Sequence, residues 1–178
     1  RRRLKYIFSL YAFFYAIFFP CGQALAFDSE WQTGTPTAHA RVSLRILQIQ
    51  LCIIYVASGV EKAWGQEWWN GNAIWYSLTE EQFRQFDFSW MADHPWIPRC
   101  AGWWTLLIES GYGLMIWTKR PVARFWVANT LLLHAGIFVF MGLHAFALTM
   151  ISLNVAAFGY LWKEHWTAMS QYTHAMAG

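Results

Sequence analysis

Lys62, Glu109, His134 and His144 are the side chains of this chain whose type and position offer chemistry. Lys62 closes an apolar run, in Gly59-Val60-Glu61-Lys62, and a tryptophan-rich turn follows it at Trp68-Trp69-Asn70-Gly71. An ammonium is a poor base in water, but burial disfavours the charged form of a lysine. A neutral amine at the end of a membrane helix can take a proton from a quinol or another weak acid. The same side chain can instead reach to the interface beside Trp64 and keep its charge. Glu109 stands midway along the apolar segment Cys100–Thr118. A carboxylate at that depth costs several kcal/mol unless it faces the protein interior and has a partner. Lys62, Arg124 and His134 are the candidate partners, and a proton on Glu109 itself is the remaining solution. The carboxylate then either ties helices together or handles substrate and protons.

His134 and His144 are the two of six histidines that lie in or next to apolar segments. Neutral imidazole can ligate haem, a chlorophyll-type pigment or a metal, or it can hydrogen-bond across helices. On one continuous helix the two rings would project about 80° apart. Met141-Gly142 between them favours a break instead, and no paired-ligand spacing points to a metal.

These residues need elements to hold them. The chain is 57% hydrophobic and 20% aromatic with 13% charged residues, against about 25% charged in an ordinary soluble domain. Its charges cluster between apolar runs, the pattern of a polytopic membrane protein. About 20 residues of helix cross a bilayer core. By that rule one all-α membrane domain over residues 1–178 is expected, with spans at Tyr6–Phe27, Leu44–Trp64, Cys100–Thr118, Phe125–Leu143 and Ala145–Trp162. The first is broken by Pro20-Cys21-Gly22, is longer than a signal peptide's core, and is read as retained. Cys21, Cys52 and Cys100 form no even framework and are expected as free thiols.

The connection Gly65–Arg99 is expected as an extramembrane cap. Within it Thr79-Glu80-Glu81-Gln82 has the spacing of a capping box. Phe83, Phe86 and Trp90 then share one face, which predicts an interfacial helix over Glu80–Met91. Asp93-His94-Pro95-Trp96-Ile97-Pro98 is expected to end it. Arg41, Arg45, Lys119, Arg120, Arg124 and Lys163 fall on one side, and the N-terminal basic patch, Arg84 and Arg99 on the other. With the N-terminal patch discounted, the first side is expected to be cytoplasmic and the cap periplasmic in a bacterial inner or intracytoplasmic membrane. The net charge of +3 comes largely from Arg1-Arg2-Arg3-Leu4-Lys5 and Lys119–Arg124. Such patches hold anionic lipid headgroups, and no motif points to nucleic acid.

The stretch Leu47–Leu78, with Gly59-Val60-Glu61-Lys62 followed by Trp64-Gly65, resembles the transmembrane domain shared with vitamin K-dependent γ-carboxylase, the HTTM domain. Pro20–Asp28 (PCGQALAFD) and His134–Val155 (HAGIFVFMGLHAFALTMISLNV) also look like this family. The resemblance implies a helical scaffold, a lysine base at Lys62 acting on a quinol, and further helices upstream of Arg1. It departs from the family in two places. The family's upstream catalytic histidine has no counterpart in Arg3–Phe8, and only residues 163–178 follow Trp162, where the carboxylase carries a large substrate domain. Glutamate carboxylation is therefore not expected.

Two function classes follow. One is a non-catalytic accessory subunit of a photosynthetic or respiratory membrane complex. Thirteen tryptophans exceed what two interfacial belts need, and aromatic surfaces dock partner helices, lipids or flat apolar cofactors such as quinones and pigments. The other is a membrane enzyme using Lys62 as base on a quinol or isoprenoid.

Overall fold

The computed structural model describes residues 38–162. The expected span Tyr6–Phe27, the N-terminal basic patch, Cys21, Lys163, His165 and His174 lie outside the described residues. The described residues are all-helical. Helices α1 (Ala38–Trp64), α2 (Gln66–Asn70) and α3 (Asn72–Thr79) are followed by a 3-10 turn at Ser89–Asp93. Then come α4 (Trp96–Met115), α5 (Arg120–Met141), α6 (His144–Phe158) and a second 3-10 turn at Gly159–Trp162. The chain forms two compact units, Arg1–Ile49 and Gln50–Gly178. In the first, Arg45 donates to Gln48 Oε1 across one turn of α1 at 3.0 Å. The residues of the site described below all belong to the second.

Among the described residues, three helical stretches are long and apolar enough to cross a membrane: Ala40–Trp64, Arg120–Met141 and His144–Trp162. This is the pattern of an integral membrane protein. α4 has the length, 20 residues, but Arg99, Glu109 and its small residues leave it less apolar than the other three.

Local chemistry fixes the joints. At the end of α1, Gly65 N–H donates to Lys62 O at 3.0 Å and the Trp69 indole N–H donates to Ala63 O at 2.8 Å, so two of the helix's last carbonyls are met. Gly71, at φ +89°, separates α2 from α3 in a left-handed conformation that a side chain resists. Gly142, at φ +64°, ends α5 in the same way. α6 begins two residues later and packs along α5. The expected break at Met141-Gly142 is therefore present.

Two expectations about the cap are corrected. Glu80–Met91 is not a helix: turns and irregular chain fill it until the 3-10 turn at Ser89. Thr79 is the last residue of α3, not a cap before a new helix, and its hydroxyl donates back to Trp75 O at 2.8 Å. The left-handed Gly71 starts α3 early, so the capping-box residues arrive where the helix is ending. The second correction concerns the prolines. α4 starts at Trp96, with Pro95 as N-cap and Pro98 in its first turn. A first helical turn has no internal bond for a proline to break, so the helix opens four residues before the expected Cys100.

α2 and α3 both rest on α4. The contact is backbone to backbone from both sides. A Cβ at Gly71 would stand 2.6 Å from Arg99 N, and one at Gly102 would stand 2.5 Å from Trp68 O. α1 meets α4 as closely, since a Cβ at Gly59 would be 2.5 Å from Ser110 N. The core of this unit is Leu51, Tyr55, Leu106, Ile108, Tyr112, Val127, Ala147 and Phe158. Cys52 and Cys100 are free thiols.

Candidate functional site

The close approach of α1 to α4 at Gly59 brings Lys62 and Glu109 together. Lys62 Nζ donates to Glu109 Oε2 at 2.5 Å and to Ser58 Oγ at 2.5 Å. Ser58 lies one helical turn before the lysine, the spacing that puts two side chains on one face. The ammonium also sits 5.2 Å from the centre of the Trp68 ring, within range of a cation–π contact. Of the four solutions open to Glu109, the structure uses Lys62. Its carboxyl side chain is 9% exposed and that of Lys62 21%, so the pair sits at the edge of the buried region.

One turn deeper along α1, Tyr55 opens a second polar group. Its Oη lies 2.8 Å from His134 Nε2 on α5. Asn154 on α6 donates from Nδ2 to Tyr55 Oη at 2.7 Å and to Met150 O at 2.8 Å, and its Oδ1 accepts from the Tyr112 hydroxyl at 2.7 Å. Tyr55 and Tyr112 are stacked with ring centres 4.3 Å apart. All four side chains are buried. A polar group buried away from water is tolerated when it is hydrogen-bonded. Here α1, α4, α5 and α6 each supply one member of the network. Asn154→Leu removes all three of these bonds and strands the Tyr112 hydroxyl. It is expected to cost about 2–3 kcal/mol of stability, at about 1–3 kcal/mol per stranded buried group, as read by denaturant unfolding in detergent micelles.

Both groups face one cavity of about 340 Å³. Its roof is Trp68, Ile74 and Ser77 of α2 and α3. Its walls are Tyr55, Ser58 and Lys62 of α1, Thr105 and Glu109 of α4, Leu133, His134 and Ile137 of α5, and Phe146 and Met150 of α6. Apolar walls with a few convergent polar groups, at a volume above about 300 Å³, are the ordinary character of a small-molecule site. His144 is not part of it. It opens α6 in an exposed position with its ring 4.4 Å from that of Phe138, so the two histidines have separate surroundings. Among the described residues no group of three or more His, Cys, Asp and Glu side chains could hold a metal ion.

The tryptophans divide by role. Trp69 and Trp103 join the cap to α4, the Trp103 indole donating to Trp69 O at 2.9 Å. Trp104 donates to Asn129 Oδ1 at 3.1 Å and Trp126 to Ile108 O at 2.9 Å, both tying α4 to α5. Trp64 and Trp96 are exposed.

Tyr55, Ser58 and Tyr112 are site residues that pattern reading does not single out, and Asn154 was legible only as a polar interruption of an apolar segment. The available signal was four polar side chains inside long helices, three of them in helices otherwise apolar enough to enter a membrane. Comparison of the chain with family models, with curated proteins and with solved structures returned no match.

Proposed function

We propose that the protein is a non-catalytic integral membrane subunit that holds a small, mostly apolar molecule in the cavity beneath α2 and α3. It would serve within a larger photosynthetic or respiratory assembly. On this reading the scaffold is HTTM-like, with five spans once Tyr6–Phe27 and α4 are counted. The cap faces the periplasm of a bacterial inner or intracytoplasmic membrane, and the bound molecule is a quinone, a lipid or a pigment ring. The observation that carries the reading is the self-contained state of the pair in the cavity wall. The Lys62 ammonium is already met by Glu109, Ser58 and the Trp68 face, so the cavity offers shape and hydrogen bonds before it offers a base. An open apolar groove along α1 and α4, lined by Cys52, Val56, Val60, Gly113 and Leu114, supports packing against lipids or partner helices.

The second reading is a membrane enzyme with Lys62 as base on a quinol or isoprenoid. It is favoured by one observation, that Lys62 lines the cavity with a carboxylate beside it. Such a base would first have to leave its proton on Glu109. Extraction of the native membrane in mild detergent, with size separation, an absorption spectrum and mass spectrometry, decides between the two. Migration in fixed ratio with a pigment- or haem-bearing complex is the expected result. Migration alone, carrying a quinone or lipid that Lys62→Ala loses, would reverse the order of the readings.

A further inference from the structure

A stripe along one side of α1 ends in a charge. Ile53, Val56, Ala57, Val60, Glu61 and Trp64 recur at steps of three and four, so they share one face of the helix. With Ser110, Gly113 and Leu114 of α4 they line an open, mostly apolar groove of about 910 Å³. Ala57, Ser110 and Gly113 are small, which leaves room between the two helices. The groove lies wholly in the second unit and shares no lining residue with the cavity beneath α2 and α3. From Trp64 back to Ile53 the axis of α1 advances about 16 Å. Half of a hydrocarbon core is about 15 Å, so the groove matches one leaflet. A partner helix that crosses the membrane would be seated over about 30 Å. The length fits an acyl chain.

The outer end of the groove is not neutral. Glu61, in the last turn of α1, is exposed and has no hydrogen bond or ion pair among the described residues. Lys62 does not offset it, because that ammonium faces the cavity and is held by Glu109. The C-terminal end of a helix adds a partial negative charge of its own. Trp64 beside it is 86% exposed, and its indole N–H has no acceptor among the described residues. We infer that this groove is a lipid site, which takes an acyl chain from the leaflet on the cap side and selects a primary amine headgroup. The ammonium donates to the Glu61 carboxylate, the Trp64 N–H donates to a phosphate oxygen, and the chain lies over Ala57 and Gly113 towards Ile53. An anionic glycerol headgroup meets repulsion at the same place. The site is independent of the cavity and needs only that α1 crosses a membrane.

The test uses the full chain in phosphatidylcholine nanodiscs. Phosphatidylethanolamine and phosphatidylglycerol probes carry the same diazirine-bearing acyl chain and differ only in the headgroup. After illumination, labelling is mapped by mass spectrometry over residues 52–64 and 110–114. It is referred to labelling at Leu132, an exposed position of α5. Groove labelling by the ethanolamine lipid is expected to exceed that by the glycerol lipid about three- to fivefold, the upper worth of one exposed ion pair. Glu61→Gln should bring the two probes level while groove labelling persists, which also shows that the variant is folded. Glu67→Gln removes an exposed carboxylate outside the groove and should leave the preference as it was. Ala57→Phe should remove groove labelling by both probes. Equal labelling of the groove by the two lipids overturns the inference, as does a preference that survives Glu61→Gln. Labelling at Leu132 with none in the groove overturns it in favour of a protein segment seated there. Labelling at neither place overturns the membrane placement as well.

Discussion

Glu109→Leu is expected to destabilise the protein by about 3–5 kcal/mol, because it leaves the Lys62 ammonium at the edge of a buried region with only Ser58 to accept from it. Lys62→Met strands the carboxylate instead and should cost a similar amount. The informative variant is the double one. A buried ion pair replaced by apolar side chains of similar volume is often neutral or stabilising, so Lys62→Met with Glu109→Leu should recover most of the loss. A double-mutant cycle on unfolding free energies in micelles checks this. Additive losses from the two substitutions would mean that the pair is not coupled. The cycle also bears on function. If the pair is structural, the double variant keeps its bound molecule; if Lys62 is the base, turnover is lost in all three variants.

The second large effect is at Gly71. Gly71→Val places a β-branched residue at φ +89°, where L-residues lose roughly 1–2 kcal/mol. Its Cβ would also fall 2.6 Å from Arg99 N, against backbone that cannot rotate away. The sum is expected to reach about 3 kcal/mol, since such a clash adds about 1–3 kcal/mol. The loss should be local, with α2 and α3 lifting from α4. Hydrogen exchange should quicken over Gln66–Thr79 while α5 and α6 stay protected. Gly136→Ala is the control. It lies inside α5, its Cβ would meet only the Phe140 ring at 3.8 Å, and the change should be neutral or slightly stabilising. Equal destabilisation by the two substitutions would show that the joint at Gly71 has no special weight.

The long elements of this chain were legible because membrane helices announce themselves by composition. Leu44–Trp64, Phe125–Leu143 and Ala145–Trp162 each coincide, to within a few residues, with a helix long and apolar enough to cross. The cap was not legible in the same way. Thr79-Glu80-Glu81-Gln82 carries the spacing of a helix start, but a local motif cannot tell that Gly71 has already begun a helix which ends on Thr79. The site shows the same division. Lys62 and Glu109 stood out as charges in apolar surroundings. Which partner Glu109 takes depends on how closely α1 approaches α4, and that is set by Gly59 against Ser110, a contact between residues 51 positions apart. The network of Tyr55, Tyr112, His134 and Asn154 draws one side chain from each of four helices, so no periodicity within any one of them reveals it.

The seating of α2 and α3 on α4 through Gly71 and Gly102 has a further consequence. Where two backbones touch, no side chain is available to swing aside, so the seams of α2 and α3 against α4 have no gate in them. On the function proposed above, a molecule held in the cavity would then arrive sideways, between helices, from the hydrocarbon phase. Occupancy then follows mole fraction in the lipid and not concentration in the water. Adding bare lipid at a constant total amount of such a molecule should empty the site, and a water-soluble competitor confined to the aqueous phase should leave it filled.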